Sequence, residues 1–395
     1  MTINTNILGS IFPGTNDTFT VLLVTLFTIV FLYHNRKSSR DSKYWHPPSP
    51  PPGSKFVRIS NGIKIRYEEH IPLGSSNELV EEVTIVLIHG FLGCLETWNL
   101  LIPLLLTAPL KSKFSIKRII SLDLVGFGYS DKPKNFTYSH RQQGDAVYEL
   151  LEKLHVTNAV LVGHSSGTII ASRVASIDSS SSNLKNTDGS TVKKRRVSFI
   201  NKSRVKGLIL LSAGGLFQEK KNYFSWKIMY PLCKFIAKKL LQNRRSSLKK
   251  FHQDHHPIDE TMIRHFVAPS RLSLDGNENN TDNNENNVDE KKKKKDIIDK
   301  NAIEVVARTI HVEEEPYATM LIDEIHPSLF IHIIFGDNDT IFPNNEKNGP
   351  IIDRVLSSLR NKYSVNDVCD SDHYIQHEQP EQLAKLIFDL LEDGI

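Results

Sequence analysis

Ser165 stands at the centre of Gly163-His164-Ser165-Ser166-Gly167, between the apolar run Ala159-Val160-Leu161-Val162 and the helix-like stretch Thr168-Ile169-Ile170-Ala171-Ser172. A serine hydroxyl at the tip of a sharp strand-to-helix turn is suited to be the nucleophile of acyl-transfer chemistry. Small residues two before and two after it let strand and helix approach closely, and Gly163 and Gly167 fill those positions. The turn also sets Ser165 near the N-terminus of the next helix, where free N–H groups and the helix dipole favour developing negative charge. Such a serine needs a base, and the base needs a group that orients it. Aspartate and histidine follow in that order. Gly336-Asp337-Asn338-Asp339 ends the apolar run Leu329 to Phe335, and the stretch Cys369 to Pro380 near the C-terminus contains His373 and His377.

Two segments before the serine complete the pattern. Val83-Thr84-Ile85-Val86-Leu87-Ile88 reads as a buried strand running into His89-Gly90-Phe91-Leu92-Gly93, and Arg118-Ile119-Ile120-Ser121-Leu122-Asp123 reads as a strand followed by the glycine-rich Leu124 to Pro133. On these motifs, together with Gly-x-Ser-x-Gly, the chain resembles the α/β-hydrolase family from about Phe56 to its C-terminus, apart from two insertions. The resemblance implies an α/β fold with a mostly parallel central sheet flanked by helices, and a helical cap inserted before the strand that carries the triad acid. It assigns the two oxyanion-hole donors to the backbone N–H groups of Phe91 and Ser166. Removal of one such donor typically costs about 3–4 kcal/mol of transition-state stabilisation.

The family's Gly-x-x-Asp pattern makes Asp339 the triad acid, with Asp337 as the competitor. Its closing motif, a histidine followed five residues later by Glu and then Pro, selects His373 over His377. His373 then takes the proton of Ser165 while Asp339 fixes the histidine tautomer. Asp372 stands where relatives have glycine, and Asp123 is read as a buried hydrogen-bond acceptor with no part in the chemistry. The preceding strand, Val205 to Ser212, ends in Ala213-Gly214-Gly215 with no carboxylate, which strengthens Asp339. A serine at position 165 also argues against epoxide hydrolase or haloalkane dehalogenase chemistry, because those relatives use a carboxylate nucleophile there.

Composition narrows the class. A chain of 395 residues holds one large α/β domain plus insertions, and a net charge of +4 without an aromatic-interleaved basic module argues against nucleic acid. Three widely spaced cysteines, Cys94, Cys233 and Cys369, suggest reduced thiols. His252, His255 and His256 flank Pro257 with no helical ligand face, so no metal is expected, and no cofactor is implied.

The elements that must position the site are divided as follows. Residues 1–17 form a polar N-terminal segment, and 18–33 an uncharged stretch read as a transmembrane signal-anchor helix, about 24 Å long at ~1.5 Å per residue. A cleaved signal peptide and a hairpin anchor are the competing readings. Arg36, Lys37, Arg40 and Lys43 follow the stretch while Asp17 is the only charge before it, which by the positive-inside rule places the catalytic domain in the cytosol. The sequon Asn338-Asp339-Thr340 overlaps the expected acid and agrees with that placement. A basic and then Pro-rich linker covers 34–55. Residues 56–214 form the first part of the core, opening with a hairpin about Asn61-Gly62 and interrupted by a polar, disordered insert at 178–203. Within that insert Arg195-Arg196-Val197-Ser198 resembles a kinase site. The cap spans 215–325 with a low-complexity loop at 274–296, and 326–395 completes the core.

In the cap, Tyr223 to Leu241 reads as an amphipathic helix presenting Phe224, Ile228, Leu232, Phe235, Ile236 and Leu240, broken or kinked at Pro231. It either packs on the core or lies on lipid. The expected function is a membrane-anchored serine hydrolase of a hydrophobic carboxylic ester, such as a monoacylglycerol or lysophospholipid, with the substrate and the membrane as partners. A non-catalytic ligand-binding or scaffold protein is the rival, and acyl transfer or thioester hydrolysis would use the same triad. Deletion of Met1 to Arg40 is expected to release the protein from carbonate-washed membranes while it still hydrolyses a short soluble ester. Retention of the truncated protein in the membrane fraction would place the attachment elsewhere.

Overall fold

The computed structural model describes residues 49–72, 81–107, 114–182, 203–213, 216, 223–251, 260–270, 298–311, 317–343 and 349–394. The expected anchor at 18–33, Ser198, the low-complexity loop at 274–296 and the histidines at 252, 255 and 256 lie outside them. Among the described residues no helix is long and apolar enough to cross a membrane.

Eight strands form one sheet in the order β1-β2-β4-β3-β5-β6-β7-β8. β1 (Lys55–Arg58) and β2 (Lys64–His70) are the antiparallel hairpin expected about Asn61-Gly62, where Gly62 adopts φ +87°. β2 also runs antiparallel to β4 (Phe114–Leu122). The remaining pairings are parallel, through β3 (Glu81–Ile88), β5 (Ala159–His164), β6 (Val205–Leu211), β7 (Phe330–Gly336) and β8 (Tyr363–Val368).

Continuous apolar runs in the central strands follow from burial on both faces. Val86 and Ile88 of β3 and Leu161 of β5 belong to one core layer, whereas Ile85, Leu87, Val160 and Val162 belong to the opposite one. The first layer is covered by α2 (His140–Lys153) and α3 (Ser166–Ser182), and the second by α1 (Leu101–Thr107) and the C-terminal helix Pro380–Gly394. This is the expected α/β-hydrolase architecture. It brings the C-terminal ends of β5, β6 and β7 side by side.

Between β6 and β7 lie α4 (Tyr223–Phe251), α5 (Glu260–Val267), α6 (Lys300–His311) and α7 (Tyr317–Asp323). α4 runs ten residues past the expected end at Leu241 and continues through Pro231 without interruption. Its buried stripe is also rotated from the expected one. Cys233, Ala237, Leu241 and Leu248 are buried, whereas Ile236 and Leu240 are each 38% exposed. Small side chains account for the difference: Cys233 and Ala237 let α4 approach Ala302, Val306 and Ala307 of α6 closely. Glu304 joins the two helices by accepting from Tyr230 Oη at 2.5 Å, Lys234 Nζ at 2.8 Å and Arg308 Nε at 3.0 Å.

Residues 178–182, expected to belong to a polar loop, are helical. Positions 178–182 are the last part of α3, because Asp178 is buried and its Oδ2 accepts from Ser203 Oγ at 2.6 Å and from the N–H groups of Arg204 and Val205 at 2.8 and 2.9 Å. One carboxylate thus ties the end of α3 to the start of β6. Asp178→Ala strands the buried Val205 N–H and should lower unfolding free energy by about 2–3 kcal/mol. An unchanged urea midpoint in the variant would show that the staple contributes nothing.

Candidate active site

Ser165 sits between β5 and α3 with φ +53°, a left-handed conformation that a side-chain-bearing residue adopts only under constraint. The constraint is close packing. A Cβ on Gly163 would fall 2.5 Å from the Gly167 carbonyl oxygen, and one on Gly167 would fall 2.4 Å from that of Ile88. The Ser165 N–H donates to Leu211 O at 2.8 Å, and Thr168 Oγ1 donates to Ser165 O at 2.6 Å, so the elbow is held from both sides.

His373 Nδ1 lies 3.0 Å from Asp339 Oδ2. A carboxylate can only accept, so Nδ1 carries the proton and Nε2 is left with its lone pair as a base. Asp339 is buried, and its Oδ1 accepts from the N–H groups of Ile341 and Phe342 at 2.9 and 2.8 Å. Burial alone would push its pKa up. The hydrogen bond and charge of His373, the Phe342 N–H and the Ser212 hydroxyl outweigh it and hold Asp339 below the ordinary carboxylate range. The His373 carbonyl accepts from His164 Nε2 at 2.8 Å and Ser212 Oγ at 3.2 Å, and the His164 and His373 rings lie 4.9 Å apart. The histidine is therefore fastened to the residue next to Ser165. No hydrogen bond joins Ser165 Oγ to His373 among the described residues, a contact that in enzymes often tightens only around bound substrate.

The competing residues have other tasks. Asp337 Oδ1 accepts from the Ser371 N–H at 3.1 Å, and His377 Nε2 hydrogen-bonds Thr97 O at 2.8 Å. Asp372, where relatives have glycine, accepts from Thr340 N and Oγ1 at 2.7 and 3.0 Å and from the His373 N–H at 2.8 Å, locking the acid loop to the histidine loop.

Phe91 and Ser166 lie on the two loops that meet at the elbow. Ser166 opens α3, and a Cβ on Gly90 would stand 3.0 Å from Ser165 Cβ, so the loop bearing Phe91 is pressed against the serine. His89 shapes that loop, with Nδ1 donating to Gly90 O at 2.7 Å and Nε2 accepting from the Leu124 N–H at 3.0 Å. Burial, with the nearby Arg244 charge, lowers its pKa to about 4 and keeps it neutral, although its bond to Gly90 works in the opposite sense.

The sequence matches the family model for the alpha/beta hydrolase fold over residues 83–380. The chain belongs to the α/β-hydrolase family. Among curated proteins it is similar to the uncharacterized hydrolase YugF of Bacillus subtilis, with 36% identity over 107 residues that cover 27% of this chain and 34% of the relative. It is also similar to the mesoderm-specific transcript protein of Mus musculus, with 34% identity over 28% of this chain and 30% of that protein. These matches span about a third of each relative's length. Solved structures of similar fold include bromoperoxidase from Bacillus anthracis, at TM-score 0.54 and 17% identity, covering 86% of this chain and all of that one. An esterase from Exiguobacterium antarcticum has the same TM-score and identity and covers 85% of this chain and 98% of its own.

Several supporting residues of this α/β-hydrolase escape sequence reading. Arg66 is buried and meets Glu96 at 2.7 Å, Glu68 at 3.1 Å and Asp123 at 3.3 Å, and Asp123 accepts from the N–H groups of Leu95 and Tyr129, each at 2.8 Å. Asp123 is the expected structural acceptor. Its partner Arg66, and Glu96 that shares this arginine, come from segments that carry no motif, and only the polar character of otherwise buried elements could have suggested them. Ser212 is missed in the same way, and His164 is missed although it stands in the elbow motif, because nothing local shows that it reaches the His373 carbonyl.

Asp339→Asn should reduce turnover at least ~1,000-fold, as loss of tautomer control does in serine triads. Asp337→Asn should cost far less, and the reverse ranking in steady-state ester hydrolysis would move the acid by two residues.

Proposed function

We propose that this chain is a serine hydrolase that cleaves the carboxylic ester of a hydrophobic, lipid-like substrate through an acyl-Ser165 intermediate. The observation that carries this reading is the Asp339–His373 pair, 3.0 Å between Oδ2 and Nδ1, fastened through His164 to a constrained serine at a strand-to-helix elbow. His373 Nε2 removes the Ser165 proton as Oγ attacks the substrate carbonyl. The N–H groups of Phe91 and Ser166 receive the oxyanion, and His373 then protonates the departing alcohol. Water, activated by the same imidazole, attacks the acyl-enzyme and releases the acid. A binding or scaffold protein would not need a tautomer-fixing carboxylate and a constrained serine together.

The lipid-like class is supported by the apolar lid: Phe91 and Leu92 pack against the cluster of Cys233, Ala237, Leu241, Ala302, Val306 and Ala307. An N-terminal anchor at 18–33, with the catalytic domain on the cytosolic side, would set this lid beside a bilayer. Acyl transfer to an alcohol in place of water is the second reading. It is favoured by a relative named 1-acylglycerol-3-phosphate O-acyltransferase ABHD5 from Sus scrofa, 31% identical over 29% of this chain and 30% of that protein. Thioester hydrolysis would use the same groups.

Ser165→Ala is expected to abolish both ester hydrolysis and covalent labelling by a fluorophosphonate probe, without loss of the folded state by circular dichroism. Labelling that persists at the wild-type level would remove Ser165 from the chemistry.

A further inference from the structure

Two buried arginines are treated differently by this fold. Arg66 is surrounded by Glu68, Glu96 and Asp123. Arg244 of α4 has no carboxylate within ion-pair distance among the described residues, although it is only 6% exposed. Its Nε donates to Phe266 O at 3.2 Å and its guanidinium lies 5.4 Å from the centre of the Phe266 ring. Its Nη2 is buried without a hydrogen-bond partner. An arginine stays charged in proteins, and a buried charge without a counter-ion costs several kcal/mol.

Arg244 lines a cavity of about 30 Å³ together with Leu92, Gly93, Lys132, Phe266 and Ser270. One water needs ~10–15 Å³, so the space holds a small group, and apolar side chains such as Leu241 and Val306 complete its wall. Lys132 Nζ donates to Gly128 O at 3.0 Å, and its charge is shared by Asp299, Asp123 and Asp131, which leaves Arg244 as the cation without a carboxylate partner. Leu92 directly follows the expected oxyanion donor Phe91, and the Arg244 charge acts on His89 and on Tyr374, the neighbour of His373. A group held by Arg244 thus lies beside the oxyanion loop, which contributes Leu92 and Gly93 to the cavity wall.

Resting on the reading of Ser165 as the nucleophile, we propose that this cavity receives a phosphate monoester headgroup on the acyl substrate, with Arg244 as its ligand. A phosphate monoester carries up to two negative charges and can accept two parallel hydrogen bonds from a guanidinium, which matches the unpaired Arg244.

The test pairs two short-chain esters of glycerol that differ only in a 3-phosphate, assayed with the full chain in detergent. The wild-type protein should favour the phosphorylated ester in kcat/KM, and Arg244→Gln should lower the ratio of phosphorylated to neutral kcat/KM by about 10- to 100-fold, the factor expected for a lost charge-assisted hydrogen bond. Arg244→Lys should restore part of that ratio. An unchanged ratio, with both esters losing equally, would make Arg244 a packing residue and overturn the proposal. Binding of a non-hydrolysable ether-linked alkylglycerol 3-phosphate, followed by calorimetry, decides the same point without turnover: it should exceed binding of the uncharged ether and weaken in Arg244→Gln. Inorganic phosphate is the third arm. Competition by phosphate alone means the cavity reads the ion itself, binding of the ether lipid alone means it reads the ion on its glycerol, and binding of neither overturns the site. If neither ester turns over and no probe labels Ser165, the hydrolase reading fails, and calorimetry still decides the anion site.

Discussion

Everything at the candidate site depends on one close approach of backbone to backbone. The carbonyls of Ile88 and His89 at the end of β3 press against Gly167 of α3, and Gly167 in turn presses against Gly163 of β5. No side chain fits into either contact. The approach fixes how far α3 stands from the sheet, forces Ser165 into its left-handed conformation, and draws the loop of Gly90 and Phe91 against the serine. Acid and base are brought in by the parallel order of β6, β7 and β8, whose C-terminal ends deliver Ser212, Asp339 and His373 to the same edge. The chemistry is distributed over loops, but the distances between those loops are set by glycines.

Around that contact the polar groups are arranged so that buried charge is matched. Glu304 ties together two lid helices, and because the Lys234, Tyr230 and Arg308 bonds outweigh the opposing effect of burial, its carboxyl is held down to about 2. Arg308 also reaches the Phe136 carbonyl at 3.3 Å, so the lid is fastened to the core through polar groups as well as through its apolar face. Arg66 and Asp123 brace the segment beneath the oxyanion loop. Arg244 departs from this arrangement.

Much of the catalytic architecture was legible because it is written in short local motifs. Gly163 and Gly167 flag the elbow, and the strand ends before His89, Asp123 and Asp337 appear as apolar runs that stop at polar or glycine residues. The choices of Asp339 over Asp337 and His373 over His377 came from family pattern, and the hydrogen bonds give each competitor a different partner. What could not be read was long-range or depended on side-chain size. The buried stripe of α4 was misassigned because large apolar residues were weighted over Cys233 and Ala237, whereas helix contact favours small ones. Pro231 was expected to interrupt α4, but the helix continues through it, with Tyr230 and Cys233 packed against α6. Asp178 looked like the first residue of a polar loop, since nothing local reveals that the N–H groups of Arg204 and Val205 would return to it.

The Asp178 staple also separates the length of the chain between α3 and β6 from the integrity of the sheet. With the two ends held by a single carboxylate, the cost of closing whatever lies between them grows only with the logarithm of its length, about 0.6 kcal/mol for each doubling. The position is therefore a natural joint for protein engineering. A reporter domain placed there would leave the elbow, the acid loop and the lid on the same side of an undisturbed sheet.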